Sequence, residues 1–139
     1  MKSKAEQIAI EKMYNNDAFS KWLGIQVMEI SDGYCVAEME VRKEMTNGFE
    51  IAHGGITFSL ADSAFAFASN SRGKHAVSIE TAVSHTKPVF VGDKLTATAK
   101  ELNLTNKIGL YTVEVVNQMG HLVAHFKGTV YRMSKVWEV

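Results

Sequence analysis

The stretch Gly54-Gly-Ile-Thr-Phe-Ser-Leu-Ala-Asp-Ser-Ala-Phe-Ala-Phe-Ala-Ser-Asn70 holds one charged residue, Asp62, among apolar, small or neutral ones. Its apolar side chains fall on nearly every side of a helix, which is typical of a helix buried in a protein interior. Asn70 and Gly73 are residue types that commonly end helices. The pattern therefore predicts a buried helix over about residues 54–70. Because a carboxylate is rarely buried without a partner or a task, Asp62 is the first candidate for chemistry.

The segments on both sides of this helix have their own patterns. Residues 3–15 predict an N-terminal helix, and residues 19–23 predict a turn-like apolar cluster. Two alternating runs on either side of Asp32-Gly33 predict a β-hairpin. After the helix, turn residues separate four runs that we predict as strands: 76–86, 93–104, 108–117 and 122–133.

The short connections between these last four strands favour an antiparallel meander. Alternation places Val77, Ile79, Thr81 and Val83 on one face of the first of them. A sheet with one apolar face has to cover it, and the 54–70 helix is the only segment apolar enough to be wrapped by that sheet. We therefore predict an α+β fold, an antiparallel sheet around one central helix, in a single domain of 139 residues.

Composition excludes several classes of function. Fifteen basic residues balance fifteen acidic ones, so no global charge recruits nucleic acid or an anionic membrane. The single cysteine, Cys35, rules out an internal disulfide and is expected to be a buried thiol. Neither a signal-peptide pattern nor a membrane-spanning stretch is present, so we expect a soluble cytoplasmic protein. His121 and His125 share one face of a strand without a third ligand at a plausible spacing, so no metal site is expected.

The start of the helix resembles that of the hotdog-fold acyl-CoA thioesterases, most closely the PaaI-type branch. In that family an asparagine is followed after five residues by His-Gly-Gly and after six more by an aspartate. Here these residues are Asn47, His53-Gly54-Gly55 and Asp62. The resemblance implies a hotdog fold, hydrolysis of acyl-CoA and no cofactor, since coenzyme A is part of the substrate.

A second segment extends the resemblance. The run Ala76-Val-Ser-Ile-Glu-Thr-Ala-Val-Ser-His-Thr-Lys-Pro88, followed by Val91-Gly-Asp93, is similar to the family's, and the likeness covers roughly residues 20–133. This chain departs from many relatives at Glu80, where they have a shorter acidic residue.

Thioester hydrolysis needs a polarised carbonyl, an aimed water molecule and a base. A helix N-terminus presents unpaired N–H groups and a positive dipole end, and glycines there let a carbonyl come close. We therefore predict the Gly54 N–H as oxyanion donor, the role that the family assigns to the matching glycine. Asp62 is the predicted base, because desolvation raises the pKa of a carboxylate. The family also entertains direct attack by this carboxylate, and the sequence does not separate the two routes.

The resemblance implies further contacts with the substrate. Asn47 would help bind the thioester carbonyl or the water, His53 would orient the loop, Gly55 would be part of the substrate-binding site, and Ser78 would help hold the water. His53 as general base stays an alternative. Candidate cations for the phosphates of coenzyme A, and aromatic residues that would line an acyl pocket, are Arg72, Lys74, Lys87, Lys107, Phe49, Phe58 and Phe65.

The spacing between the two principal residues constrains the assembly. Gly54 and Asp62 are eight positions apart, a rise of about 12 Å along one helix. A base and an oxyanion donor that serve one reacting carbon lie only about 3 Å from their partners. Two antiparallel copies of the helix across a twofold axis would bring Gly54 of one subunit to Asp62 of the other. We expect a homodimer with shared sites, further assembled into a homotetramer.

Two other functions remain open. A hotdog hydratase or dehydratase would use a histidine with a helix glutamate, or an aspartate with a histidine five residues later. Here the helix has no glutamate, and Phe67 stands five residues after Asp62. A non-catalytic acyl-CoA-binding protein would leave Asp62 without a role.

Overall fold

The computed structural model describes residues 2–139. The chain begins with an α-helical turn, α1 (Lys4–Glu6), which continues as a π-helical stretch (Gln7–Met13) and a 3-10 turn (Tyr14–Asn16). Ile8 and Ala9 of this segment are fully buried. The N-terminal helix therefore lies where the sequence predicts it, with apolar residues turned to the core.

The apolar cluster after this segment is a helix, α2 (Ala18–Leu23), rather than a turn. Asp17 caps its start by accepting a hydrogen bond from the Ser20 N–H at 2.9 Å. Gly24 ends it with a φ of 78°, a left-handed conformation that suits glycine. The predicted turn is wrong. The segment is a helix of six residues, because capping residues at both ends stabilise it.

The rest of the chain contains a 3-10 turn (Lys43–Met45), one long helix, α3 (Gly54–Asn70), and six strands in one antiparallel sheet. Helix α3 contacts every strand of the sheet. The hotdog fold is therefore confirmed, and α3 has the predicted bounds. The strands are β1 (Gln26–Ser31), β2 (Tyr34–Glu40), β3 (Lys74–His85), β4 (Lys94–Leu104), β5 (Ile108–Val116) and β6 (Leu122–Val136).

The strand order is β1-β2-β4-β5-β6-β3, so the predicted four-strand meander holds only for β4, β5 and β6. Strand β3 pairs with β6 at the far edge, and β4 pairs with β2. Residues 86–93 connect β3 to β4, and they are anchored where the Ala52 N–H donates to the carbonyl of buried Val89 at 2.8 Å. This anchored crossing separates two strands that are neighbours in sequence.

A β-bulge at Ile79 changes the phase of β3. Val77, before the bulge, is 51% exposed, whereas Thr81 and Val83, after it, lie on the helix side of the sheet, where Val83 is opposite buried Phe126. The prediction that Val77, Ile79, Thr81 and Val83 share one face was therefore wrong, because one extra residue reverses the alternation.

Aromatic packing fixes α3 against the sheet. The Phe65 ring lies 5.4 Å from Phe126 and 5.8 Å from Tyr111, between ring centroids. Gly128 of β6 faces the same ring, and a Cβ there would lie 2.6 Å from Phe65 Cζ. Since real Cβ atoms do not approach so closely, glycine at 128 is what allows α3 to sit this near the sheet.

The C-terminal residues close the other end of α3. The Trp137 ring stacks on His75 at 3.9 Å, and its Nε1 donates to Asn70 Oδ1 at 3.0 Å. Asn70 Nδ2 in turn donates to the carbonyls of Ala66 and Ala76. The segment after residue 133, for which the sequence suggested no role, continues β6 and holds the end of the central helix.

Three further predictions concern single features. Cys35 is fully buried, and desolvation raises the pKa of its thiol to about 12, as expected of an inert core thiol. No helix within residues 2–139 is long and apolar enough to cross a membrane. In the same residues, no three His, Cys, Asp or Glu side chains are grouped so that they could hold a metal ion.

Candidate active site

A short structured loop leads into α3. Thr46 and Ala52 form an isolated bridge, and the Asn47 N–H donates to the Ile51 carbonyl at 2.8 Å. Asn47 Oδ1 accepts from the Phe49 N–H at 2.9 Å. Its Nδ2 has no hydrogen-bond partner among residues 2–139, so the amide is held in place with its donor group available.

His53 is the N-cap of α3. Its Nδ1 accepts from the Gly55 N–H at 2.8 Å, and its carbonyl accepts from the Ile56 N–H at 2.9 Å. The bond to Gly55 uses the Nδ1 lone pair, so in the neutral ring the proton is on Nε2. This geometry suits a residue that orients the loop and the helix start better than it suits a general base.

Gly54 is the one residue of the first α3 turn whose N–H stays free. Within the described part of the chain it has no acceptor, whereas its neighbours Gly55 and Ile56 both donate to His53. Gly54 lines an open depression of about 360 Å³, together with Asn47, Thr57, His85 and Lys87 among others. An unpaired N–H at the positive end of a helix, beside a free amide donor, is a site for a carbonyl oxygen.

Asp62 lies two turns further along α3 and is partly buried. Desolvation raises the pKa of its carboxyl above the ordinary value. No group among residues 2–139 hydrogen-bonds to this carboxylate, so it does not cap a neighbouring loop. A depression of about 330 Å³ between α3 and β3 is lined by Asp62, Ser78, Phe65 and Ala76, among others. A carboxyl with a raised pKa, unpaired and open to a cavity, is suited to accept a proton.

The single chain does not bring the predicted site residues together. Gly54 and Asn47 line one depression, Asp62 and Ser78 line a second, and His53 and Gly55 line a third beside Phe19 and Trp22. The helix rise between Gly54 and Asp62 is about 12 Å. The candidate oxyanion donor and the candidate base are thus both present in one chain, but they line different depressions.

One residue beside Gly54 escaped the sequence analysis. His85, at the end of β3, brings its ring so close that a Cβ on Gly54 would lie 3.1 Å from His85 Nε2. The sequence signal was its position, since His85 stands directly before the segment Thr86-Lys-Pro88 where the strand pattern ends.

The other candidates divide by environment. Arg72 is bound to Glu101 at 2.8 Å and Lys74 to Asn106 at 2.6 Å, whereas Lys87 lines the same depression as Gly54. Phe65 is buried in the core and also lines the depression beside Asp62. The Phe49 side chain is 85% exposed at the tip of the loop.

The fold and this arrangement define a hotdog-fold hydrolase, and comparison with known proteins supports that class. The sequence signature of the thioesterase superfamily matches residues 49–124, and the chain belongs to that superfamily. Among curated proteins it is similar to the acyl-coenzyme A thioesterase PaaI of Escherichia coli K12. The identity is 44% over 133 residues, which cover 96% of this chain and 94% of that one. The chain is therefore a thioesterase of the PaaI type, as predicted.

Other relatives agree with this placement. A putative esterase of Archaeoglobus fulgidus is 46% identical over 96% of this chain and 87% of its own. The solved structure of the E. coli PaaI protein from the phenylacetic acid degradation operon superposes with a TM-score of 0.93 at 42% identity, covering 96% of both chains. The smu.793 protein of Streptococcus mutans UA159, solved bound to acetyl CoA, superposes with a TM-score of 0.79 at 25% identity over 81% of this chain and 91% of its own.

Proposed function

We propose that this protein hydrolyses acyl-CoA thioesters with small, medium-chain or aryl acyl groups to the free acid and coenzyme A. The observation that carries the proposal is the unpaired Gly54 N–H at the start of α3, beside the free amide of Asn47. Such a pair of donors fits a thioester carbonyl and the oxyanion that forms from it. Relatives named as acyl-CoA thioesterases support the same substrate class.

In the proposed reaction, the thioester oxygen accepts hydrogen bonds from Gly54 and Asn47. Asp62 takes a proton from a water molecule as that water attacks the carbonyl carbon, and Ser78 helps hold the water. The tetrahedral oxyanion collapses, the carbon–sulfur bond breaks, and the proton on Asp62 passes to the departing thiolate. The raised pKa of Asp62 favours this role, because a base works best when its pKa approaches the working pH.

The alternative role of Asp62 is direct attack, which would form a mixed anhydride that water then cleaves at the Asp62 carbonyl carbon, leaving the former Asp62 oxygen in the product acid. A single turnover in ¹⁸O-labelled water separates the two routes. General-base hydrolysis places one labelled oxygen in the product acid during the first turnover. If the first product is unlabelled, its new oxygen came from the carboxylate, and Asp62 acts as the nucleophile.

The proposal requires a second copy of the chain. Strand β3 forms one edge of the sheet, and in the described residues nothing pairs with its outer side. Val77 and Ile79 on this strand are more than half exposed. A long, apolar, unpaired edge favours pairing with another strand, and the same edge of a second subunit is the symmetric partner.

Antiparallel pairing of two β3 strands also solves the distance problem. Gly54 and His85 lie at the C-terminal end of β3, whereas Asp62 and Ser78 lie beside its N-terminal half. Antiparallel pairing sets the C-terminal end of one β3 against the N-terminal half of the other. The oxyanion donor of one subunit then faces Asp62 of the partner subunit, twice in each dimer. Assembly of dimers into a tetramer, a cytoplasmic location and the single-domain organisation stay predictions.

Lys87 is the cation that we assign to a phosphate of coenzyme A. It lines the depression that contains Gly54, and its Nζ lies 3.0 Å from His121 Nδ1. It makes no salt bridge with the described acidic residues, whereas Arg72 pairs with Glu101.

A hydrolysis screen tests the proposal. Wild-type protein and the isosteric variant Asp62→Asn are assayed with straight-chain, branched and aryl acyl-CoA by release of free thiol. We expect turnover of at least one class by the wild type and a loss of 10²- to 10⁴-fold in the variant, the usual range for a general base. An acyl-CoA that binds tightly but is not cleaved would instead favour the binding-protein alternative. The hydratase alternative has less support, since Phe67 is buried in the core.

A further inference from the structure

We propose that His85 is a further catalytic residue, whose Nε2–H donates a hydrogen bond to the same thioester oxygen as Gly54 and Asn47. This inference rests on the proposed function, because it names another group in that site.

The first argument is position. His85 lies at the C-terminal end of β3, opposite Ala124, on the side of the sheet that faces α3. A Cβ built on Gly54 would lie 3.1 Å from His85 Nε2, 3.4 Å from Cε1 and 3.7 Å from Cδ2. The edge of the ring that carries Nε2 is therefore the part nearest to the Cβ position of Gly54.

The second argument is availability. The His85 side chain makes no hydrogen bond with any group among residues 2–139, and it is exposed to the depression that Gly54 and Asn47 also line. His53 is different, because its Nδ1 is occupied by the Gly55 N–H. His53 also lines a different depression, so of the two histidines near the start of α3 only His85 can offer a ring N–H in the depression of Gly54 and Asn47.

The third argument is chemical. Three donors from different segments converge on one depression: the Gly54 N–H, the Asn47 amide and the His85 ring. No acceptor within residues 2–139 satisfies the first two. A carbonyl oxygen has two lone pairs and gains charge as water attacks, so additional donors stabilise the transition state more than the ground state. His85 should therefore affect kcat more than KM.

Three variants show whether the His85 side chain acts as a hydrogen-bond donor or only fills space. His85→Phe keeps a flat ring without a donor, His85→Gln keeps an amide donor, and His85→Ala removes both. For a thioester that the wild type hydrolyses, we expect kcat to fall at least tenfold in the Phe and Ala variants, less than the 10²–10³ of a principal oxyanion donor. The Gln variant should recover part of the loss, with KM within about threefold throughout.

A spectroscopic readout works without turnover. A ketone analogue of acyl-CoA, with CH₂ in place of the thioester sulfur, binds without being cleaved. A hydrogen bond from His85 lowers its carbonyl stretching frequency, so that frequency should rise in His85→Phe and stay near the wild-type value in His85→Gln. Equal frequencies in wild type and His85→Phe would overturn the assignment, as would an unchanged kcat or a loss confined to KM. An inactive wild type that still shows the frequency shift would contradict the proposed function but support the contact.

Discussion

The substitution Gly54→Pro tests the proposed oxyanion donor with little cost to the fold. Gly54 is the first residue of α3, where proline is well tolerated and the missing N–H has no partner in the helix. His53 has φ −62° and ψ 137°, the extended conformation that a residue before proline prefers. The new Cβ would lie 3.1 Å from His85 Nε2, on an exposed ring that no described group holds in place. The change therefore removes one N–H, and its Cβ also requires a small shift of the His85 ring.

Loss of one oxyanion donor is worth on the order of 3 kcal/mol, so we expect kcat to fall 10²- to 10³-fold with the melting temperature nearly unchanged. Gly54→Ala is the matched control, since it adds the same Cβ but keeps the N–H. It should retain activity within about tenfold, because the N–H is the larger contribution. Equal losses in the two variants would show that the Cβ, and not the missing N–H, causes the defect.

Mixing variants then tests whether the site is shared. In a hybrid of Gly54→Pro and Asp62→Ala subunits, one of the two sites receives Gly54 and Asp62 in native form from different chains. Random exchange of equal amounts makes half of the dimers hybrids, each with one working site of two, so activity should recover to about a quarter of the wild type. A titration of the mixing ratio should peak at one to one. Absence of recovery, with exchange shown by mass spectrometry of labelled subunits, would refute a composite site.

Three further predictions concern stability. Burial raises the native pKa of Asp62 above its ordinary value, so the charged form weakens the fold as pH rises through the native pKa. Asp62→Asn should then melt higher than wild type at pH 8 but not at pH 3; an equal or lower melting temperature at pH 8 would contradict this. Trp137→Ala should lower the free energy of unfolding in urea by about 2 kcal/mol, with kcat unchanged, through a lost hydrogen bond and ring stack; Trp137→Phe should lose about half. Gly128→Ala should cost about 1–3 kcal/mol by pushing on Phe65, and Phe65→Leu should restore part of it in the double variant.

The central helix was predictable because two independent signals agree on it. Its apolar residues run from 54 to 70, and turn residues lie at both ends, so the apolar pattern and the turn residues indicate the same bounds. The β1–β2 hairpin was equally clear, because Asp32-Gly33 separates two alternating runs. Where local signals coincide in this way, the observed elements match the predicted ones.

The errors arise where a local pattern meets a long-range constraint. The bulge at Ile79 depends on the pairing of β3 with β6, which no alternation within β3 encodes. Similarly, the crossing of residues 86–93 depends on the contact of Val89 with Ala52, 37 positions earlier in the chain. Sequence periodicity describes one strand at a time, so neither strand order nor a change of phase is visible in it.

The candidate site shows the same division. Asp62 and Gly54 stood out because their chemistry is unusual for their surroundings, whereas His85 did not, because its position at a strand end does not show which residues lie beside it in the fold. Its relation to Gly54 is tertiary, a contact between residues 31 positions apart. A sequence shows residues whose chemistry is unusual for their neighbours along the chain. The fold is needed to show which other residues lie beside them in space.

The unpaired polar groups on α3 and in the loop before it provide the strongest argument for a shared site. A free N–H on Gly54 and a free amide on Asn47 line one open depression, and the unpaired carboxylate on Asp62 lines another. The first two are donors and the third is an acceptor, and the helix rise between Gly54 and Asp62 is about 12 Å. Within one subunit they cannot serve the same carbonyl and its attacking water. In the proposed dimer, two antiparallel α3 helices would place each donor pair beside the other chain's carboxylate, with one thioester and one water between them. The groups that stay unpaired in the single chain are thus the groups that a dimer with bound substrate would pair.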